Sequence, residues 1–215
     1  MNLGFFSNGL LNCFNASNNQ LDEVHVGSGR TAVFFDRDGV INKDDGYVSK
    51  FDRSLIYDEF TKCLQLLVRN KIQTGIATNQ SGISRRKYSW SDFETFHQEL
   101  NNYFSHLSLP ELDAIACSWH PMYGNGSELN NWRKPGPNML LFLCCVNGVS
   151  PRDSIFIGDR VSDVEAAISA KFRYVIRVQD NVSESSHTVK STTIVTILRN
   201  KLSSVIEKMT TEGIK

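Results

Sequence analysis

The sequence predicts an α/β fold: a doubly wound parallel sheet with flanking helices and no large cap domain. Short, uninterrupted apolar runs recur along the chain, which is typical of strands buried on both faces. Segments with helical spacing of apolar residues separate these runs, and polar residues directly follow several of them. Strands that alternate with helices in this way favour a parallel sheet covered on both faces.

The predicted strands begin where a polar, Asn-rich stretch gives way to apolar runs. The runs cover residues 32–35, 72–78, 114–118, 154–158 and 174–178. Their lengths suit buried strands better than helices, because helices usually need ten or more residues.

Apolar residues spaced three and four apart predict the helices. The stripes are Phe60, Leu64, Leu67 and Val68; Phe93, Phe96, Leu100, Tyr103 and Phe104; and Ile194, Leu198, Leu202, Val205, Ile206 and Met209. Ser91 and Glu94 are the expected capping box of the second helix. Further helices are expected at 137–145, before a stop at Gly148, and at 161–170.

The length of 215 residues suits one full domain that needs no disulfide bonds. We assign residues 30–215 to this domain and residues 1–29 to an N-terminal extension. The extension mixes turn-forming Asn and Ser with scattered apolar residues. Its composition leaves open whether it is a loose arm or packs on the domain.

The composition also excludes several partners. Lys and Arg number 23, as do Asp and Glu, so a formal net charge of zero argues against bulk binding to nucleic acid or acidic membranes. No stretch approaches the roughly 18 apolar residues of a membrane span. The five cysteines include no Cys-x-x-Cys pair, and the first residues lack the cations of a signal peptide. We expect a cytoplasmic protein, with a monomer favoured.

Carboxylates follow two of the predicted strands. Asp36 and Asp38 come after the first strand, and Asp159 comes after the fourth, with Asp163 four residues later. Ligands of open α/β sheets bind beyond the carboxyl ends of the strands. Two carboxylates at this spacing repel each other, and a hard divalent cation such as Mg²⁺ relieves the repulsion. A single Asp-x-Asp would also fit an ordinary solvated loop.

Other strand ends supply groups that suit a phosphate. Thr78 offers a hydroxyl, and the turn at 79–82 offers backbone N–H groups. Arg133 and Lys134 add positive charge before the third predicted helix. A metal site beside a cation, a hydroxyl and a carboxylate nucleophile predicts phosphoryl transfer through an aspartyl-phosphate.

Four motifs in this order resemble those of the haloacid dehalogenase-like phosphatases. They are Asp36-Arg37-Asp38-Gly39-Val40-Ile41-Asn42, Thr78-Asn79-Gln80-Ser81-Gly82-Ile83, Arg133-Lys134-Pro135 and Gly158-Asp159-Arg160. The chain looks most like the branch of the heptose bisphosphate phosphatases and histidinol-phosphatase domains. The resemblance spans residues 31–178.

The resemblance implies catalytic roles. Asp36 would be the nucleophile, and Asp38 would protonate the leaving oxygen and then activate water. Thr78 and Lys134 would hold the transferring phosphoryl group.

The same resemblance implies a Mg²⁺ site and an open substrate site. The ion would be bound by the Asp36 carboxylate, the Asp38 backbone carbonyl and Asp159, with Asp163 supporting these ligands. The expected substrate is a sugar phosphate, foremost the C7 phosphate of a heptose bisphosphate. The residues expected to contact it are Tyr47, Asn79, Arg85 and Arg133.

The chain departs from this branch at the zinc loop, where relatives carry Cys-x-His and later Cys-x-Cys before Arg-Lys-Pro. Here Cys117 is kept, but Trp119 replaces the His, and Asn130 and Trp132 replace the two Cys. Structural zinc needs four nitrogen or sulfur ligands. Cys117 and the shifted His120 are too few, so we expect no bound zinc and expect the tryptophans to pack in its place.

Other activities stay open at this point. A histidinol-phosphate phosphatase is one, and a 3′-phosphatase on nucleic-acid ends, which shares Thr-Asn-Gln and Arg-Lys-Pro, is another. The net charge of zero argues against the nucleic-acid 3′-phosphatase. A catalytically idle binding protein is a different class, and the complete set of catalytic residues argues against it.

Overall fold

The computed structural model describes residues 3–14, 30–120, 122 and 131–211, and a nine-stranded sheet forms its centre. Along the sheet the strands follow the order β2-β1-β5-β4-β3-β6-β7-β9-β8, and the run from β5 to β9 in this order is parallel throughout. The strands are β1 (Leu3–Ser7), β2 (Leu10–Phe14), β3 (Ala32–Phe35), β4 (Gln73–Asn79), β5 (Asp113–Cys117), β6 (Ile155–Gly158), β7 (Tyr174–Gln179), β8 (Ser185–Val189) and β9 (Thr192–Leu198).

Helices cover both faces of the sheet. They are α1 (Asp58–Arg69), α2 (Ser81–Ser84), α3 (Trp90–His106), α4 (Asn138–Asn147), α5 (Val161–Ser169) and α6 (Leu202–Thr211). Val33 and Phe35 of β3 share one core with α1, α3 and α6, whereas Ala32 and Phe34 share the other with α4 and α5. The doubly wound arrangement is therefore confirmed. No helix among the described residues is long and apolar enough to cross a membrane.

The interval between Asp38 and Thr78 holds a loop, a 3₁₀ turn (Arg53–Leu55) and α1, so no cap domain is inserted there. The five predicted strands agree with the structure to within one residue at each end. Helix α4 stops, as predicted, at Gly148, which adopts a left-handed φ of 63°. Glycine reaches that conformation without a steric cost.

The predicted last helix is wrong over its first part. Ile194 and Leu198 lie in β9, which pairs in parallel with β7, and α6 begins only at Leu202. A spacing of four residues fits a helix, but the segment Thr192–Leu198 is rich in β-branched residues, which favour strands. The parallel part of the sheet therefore contains one strand more than the sequence predicted.

The predicted capping box is also wrong by two residues. Ser89, not Ser91, precedes α3, and its hydroxyl accepts from the Asp92 backbone N–H at 3.1 Å. The Asp92 carboxylate accepts in return from the Ser89 backbone N–H at 2.7 Å. The earlier start adds Trp90 to the helix, where its ring packs edge-on against Phe93.

The start of the chain packs on the domain. Strands β1 and β2 form an antiparallel hairpin, and β1 pairs antiparallel with β5 through Leu3 and Cys117 at one end. Residues 15–29 lie outside the described residues, so the boundary between the extension and the domain stays a prediction.

His97 of α3 is buried where the hairpin meets the first core. Its Nε2 donates to the Leu112 carbonyl at 2.7 Å, and its ring lies 4.4 Å from the ring of Phe6 between centroids. Nδ1 is buried with no hydrogen-bond partner among the described residues. Burial lowers the pKa of His97 to about 4, so the imidazole is neutral in the folded protein.

Because His97 is buried in its neutral form, we expect the stability of the fold to decrease at acidic pH. The unfolded chain binds a proton near pH 6.5 and the folded chain only near 4, so stability present above 6.5 is lost as the pH falls toward 4. Replacing His97→Gln keeps a donor for Leu112 but removes the titration. Denaturant unfolding at pH 7 and pH 4 should show a smaller loss of stability in the variant, by roughly 2 to 3 kcal/mol. Equal losses in both proteins would contradict this reading.

Candidate active site

The first carboxylate of the site stands at the end of a fully buried strand, β3. All four residues of β3 are buried, and Asp36 follows with only 6% of its surface exposed. Its backbone N–H donates to the Ile157 carbonyl of β6 at 2.8 Å, which extends the pairing of the two strands. Asp36 Oδ1 accepts from the Arg37 N–H at 2.7 Å. Two neighbouring strands therefore fix the position of this carboxylate.

Lys134 brings the strand ends together. Its ammonium lies 2.9 Å from Asp36 Oδ1 and 2.7 Å from Asp163 Oδ1, and it donates to the Ala77 carbonyl at 2.8 Å. Asn79 fixes the backbone of Lys134 from β4, through bonds of 3.0 Å to its N–H and 2.9 Å to its carbonyl. The side chain predicted to contact substrate at Asn79 thus already holds Lys134.

Three carboxylates crowd around this single ammonium. Oxygens of Asp36, Asp159 and Asp163 lie within 4.8 Å of one another. Burial, opposed by Lys134 and reinforced by the neighbouring carboxylates, raises the pKa of Asp36 to about 8. Burial and Asp163 raise the pKa of Asp159 to about 6. The cluster therefore has an excess of negative charge that a divalent cation would neutralise.

The donor set fits such a cation. Asp159 Oδ1 is buried and finds no hydrogen-bond partner among the described residues. Asp163 is occupied instead: its Oδ2 accepts from the N–H groups of Asp159 and Arg160 at 3.2 and 2.9 Å. A Cβ at Gly39 would lie 2.2 Å from Asp159 Oδ2, so only glycine leaves room for this carboxylate. Asp159 is available as a ligand, whereas Asp163 holds the surrounding backbone and Lys134.

Asp38 is held by three side chains at the wall of the site. Arg37 contributes Nε at 3.1 Å and Nη2 at 2.9 Å from Oδ1, and Asn42 Nδ2 donates to the same oxygen at 2.9 Å. Gln80 Nε2 donates to Oδ2 at 2.9 Å. Arg37 is buried, with its guanidinium 4.5 Å from the ring centroid of Phe96. The orientation of Asp38 is therefore set by its surroundings.

Gln80 links Asp38 to Thr78. The same Nε2 donates to Thr78 Oγ1 at 2.8 Å, and the Tyr88 hydroxyl donates to Gln80 Oε1. Tyr88 packs over Gly82, where an added Cβ would lie 2.1 Å from Tyr88 Cε1 and 2.8 Å from Tyr47 Cδ1. The lack of a side chain at residue 82 lets both rings approach.

A cavity of about 500 Å³ opens over these groups. Its lining includes Asp36, Asp38 and Lys134 and, on the outer side, Tyr47, Arg85, Arg133 and Arg160. Arg85 donates to the Tyr47 hydroxyl at 2.7 Å and lies 2.6 Å from His120 Nε2, and Arg133 donates to the Trp119 carbonyl at 3.2 Å. Burial and the nearby charges of Arg85 and Arg160 lower the pKa of Arg133, against the influence of Cys117. The outer side of the cavity therefore carries three arginines, of which Arg160 is paired with Asp44.

The described ends of the altered zinc loop are anchored by apolar packing. Cys117, Trp119 and Trp132 are buried and belong to the same core. The rings of Trp132 and Phe142 lie 6.1 Å apart between centroids, and burial raises the pKa of the Cys117 thiol to about 11. Asn130 lies outside the described residues. The expected absence of zinc stays a prediction.

The structure brings nearly all of the predicted residues together. Asp159 belongs to the carboxylate cluster and Thr78 is joined to Asp38 through Gln80, and the other predicted residues line the cavity. Arg37, Gln80 and Tyr88 also belong to the site, although no role was predicted for them. The first two stand inside the quoted motifs, whereas Tyr88 has no signal in the sequence. The roles assigned to the individual residues stay predictions.

Comparisons with known proteins identify the family. Residues 11–171 match the family described as haloacid dehalogenase-like hydrolase. The chain is 37% identical over 154 residues to the D-glycero-alpha-D-manno-heptose-1,7-bisphosphate 7-phosphatase of Campylobacter jejuni, covering 71% of this chain and 85% of the relative. It is 34% identical over 143 residues to the corresponding beta-heptose enzyme of Escherichia coli K12, covering 65% and 74%.

A solved structure agrees with the fold. The D,D-heptose 1,7-bisphosphate phosphatase of B. bronchiseptica, complexed with magnesium and phosphate, has a TM-score of 0.67 at 20% identity and covers 86% of this chain and 100% of its own. The chain belongs to the haloacid dehalogenase-like hydrolases, and it is a phosphatase.

Ligand chemistry predicts that the purified protein contains far less than one zinc per chain. Trp119 and Trp132 offer no usable lone pair, and Cys117 with His120 would leave two positions open. Elemental analysis measures the metal directly. Zinc in equal amount to the chain would show that this interpretation of the loop is mistaken.

Packing of Trp132 predicts a second effect. Replacing Trp132→Ala removes a buried ring directly before Arg133 and Lys134, so the loop should loosen and KM for a phosphate ester should rise several-fold. Val146→Ala, at an exposed position of α4, is the matched control and should leave KM unchanged. Unchanged kinetics in Trp132→Ala would contradict the proposed anchoring.

Proposed function

We propose that this phosphatase is a Mg²⁺-dependent phosphomonoesterase that removes the C7 phosphate of D-glycero-D-manno-heptose 1,7-bisphosphate. The observation that carries the reaction is the contact of the buried nucleophile Asp36 with Lys134, beside Asp159 and opposite the positioned Asp38. The names of the curated relatives support the substrate. They include enzymes for both anomers, so we propose no preference between them.

The chemistry proceeds in two displacements. An Asp36 oxygen attacks phosphorus, the bond from phosphorus to the sugar oxygen breaks, and Asp38 gives its proton to that oxygen. Asp38 then takes a proton from water as the water oxygen attacks phosphorus, which releases phosphate and restores Asp36. Lys134 and the Thr78 hydroxyl hold the phosphoryl oxygens. A Mg²⁺ ion bound by Asp36, Asp159 and the Asp38 carbonyl would neutralise charge on the phosphoryl group.

The outer arginines explain a preference for a second phosphate. Arg85, Arg133 and Arg160 line one side of the cavity, and Arg133 is partly buried among like charges. A second phosphate would relieve this repulsion through charge-assisted hydrogen bonds. Tyr47, whose hydroxyl accepts from Arg85, is placed to contact the sugar. Asn79 acts by holding Lys134.

A phosphate-release screen tests the substrate. With Mg²⁺ present, heptose 1,7-bisphosphate should be hydrolysed more efficiently than histidinol phosphate, monophosphorylated sugars or a 3′-phosphorylated oligonucleotide. A clear preference for histidinol phosphate or the oligonucleotide would replace the proposed substrate. The cytoplasmic location, the monomeric state and the lack of a nucleic-acid partner stay predictions.

The nucleophile is tested by Asp36→Asn, which keeps the shape but removes the attacking carboxylate. Phosphatase activity should fall by at least about 1,000-fold, since no aspartyl-phosphate can form. Circular dichroism should show a folded protein. Substantial activity in the folded variant would contradict the aspartyl-phosphate mechanism.

The carboxylate cluster predicts metal dependence. A chelator should abolish activity, and added Mg²⁺ should restore it, because the crowded carboxylates need a divalent cation to receive an anionic substrate. Asp159→Asn should raise the Mg²⁺ concentration needed for half-maximal activity. Full activity of a metal-free preparation would show that the assignment of Asp159 is wrong.

A further inference from the structure

Gln80 lies between two residues that the proposed function uses in catalysis. Its side chain is 1% exposed, and one amide atom is 2.9 Å from Asp38 Oδ2 and 2.8 Å from Thr78 Oγ1. Both Asp38 oxygens also accept from the Arg37 guanidinium, so the atom that faces Asp38 is the amide nitrogen, which donates. The amide oxygen then faces Tyr88, whose hydroxyl must donate to it.

These directions determine the role of the Thr78 hydroxyl. The Gln80 amide has two N–H groups, and Asp38 and Thr78 use both. Thr78 Oγ1 therefore accepts, and its own proton remains for an acceptor that no described residue supplies. A phosphoryl oxygen is such an acceptor. The Gln80 amide thus orients the Thr78 hydroxyl as a donor to the phosphoryl group and also holds Asp38, which transfers the proton in the proposed function.

Tyr88 keeps the amide in this orientation. It lies between α2 and α3, outside the strand ends that carry the other groups, and it packs over Gly82. Burial raises the pKa of Tyr88 to about 12, so its hydroxyl stays a donor at neutral pH. If the amide rotated by half a turn, its nitrogen would face Tyr88, and neither Asp38 nor Thr78 would receive a hydrogen bond from it.

We propose that Gln80, oriented by Tyr88, is a positioning residue that sets both the Asp38 carboxylate and the Thr78 hydroxyl for phosphoryl transfer. This role rests on the proposed function, because it assumes that Asp38 protonates the leaving oxygen. A merely structural Gln80 would affect all substrates alike. A positioning Gln80 matters most when the leaving group needs a proton.

The leaving group therefore provides the test. Gln80→Met keeps the length of the side chain and removes both donors. We compare kcat/KM for p-nitrophenyl phosphate, whose leaving group needs little protonation, with the best sugar phosphate of the screen. The loss for the sugar phosphate should exceed the loss for the aryl ester by about 10-fold or more. Asp38→Asn should show the same pattern more strongly.

Two further variants sharpen the comparison. Tyr88→Phe keeps the Gln80 amide but removes the hydroxyl that orients it. The loss of kcat/KM should again be larger for the sugar phosphate than for the aryl ester, but both losses should be smaller than in Gln80→Met. Tyr103→Phe removes a tyrosine hydroxyl outside the cavity and should change neither rate. If Gln80→Met fails to fold, the positioning role is tested by the losses of kcat/KM for the two esters in Tyr88→Phe relative to wild type.

The outcomes separate the two proposals. Equal losses for both esters in Gln80→Met and Tyr88→Phe, with an active wild type, overturn the positioning role alone. A folded wild type that hydrolyses neither ester with Mg²⁺ present overturns the proposed function and the role together.

Discussion

The ammonium group of Lys134 is the contact on which the arrangement of the site depends. It is buried against Asp36 after β3, the Ala77 carbonyl of β4 and Asp163 of α5. A buried cation is tolerated only when opposite charge and hydrogen bonds surround it, and removing one partner of such a group costs about 3 to 5 kcal/mol. Under the proposed function, the charges that hold these strand ends together are also the charges that the reaction uses. The same residues would then serve both stability and catalysis.

The site was largely predictable because its residues stand at strand ends. Each apolar run identifies a buried strand, and parallel strands bring their carboxyl ends to one edge, so Asp36, Thr78 and Asp159 had to lie close together. The pairing of Asn79 with the Lys134 backbone was not predictable, because the two residues are distant in sequence and meet only in the folded chain. Tyr88 was not predicted because it lies outside the four motifs, although it is only eight residues from its partner Gln80.

The errors in the fold have local causes. Ile194 and Leu198 are spaced like one face of a helix, but β-branched neighbours and pairing with β7 place them in a strand. The hairpin at the start was ambiguous because Asn and Ser dominate its neighbourhood. The hairpin is placed by a distant contact, because β1 pairs with β5. This pairing buries Leu3 in the core that contains Cys117, Trp119 and Trp132. Apolar burial thus stabilises both ends of the altered loop.

The close approach of Tyr47 and Tyr88 over Gly82 has a consequence for how the cavity is built. Tyr88 reaches toward Gln80 and Tyr47 reaches toward Arg85, so each ring supports one wall of the cavity. Both rings approach the Gly82 backbone so closely that a Cβ at residue 82 would overlap both of them. Residue 82 therefore acts as a spacer between the wall that contains Tyr88 and the wall that contains Tyr47. Under the proposed function, the width available to the substrate thus depends on the one position in this turn that has no side chain.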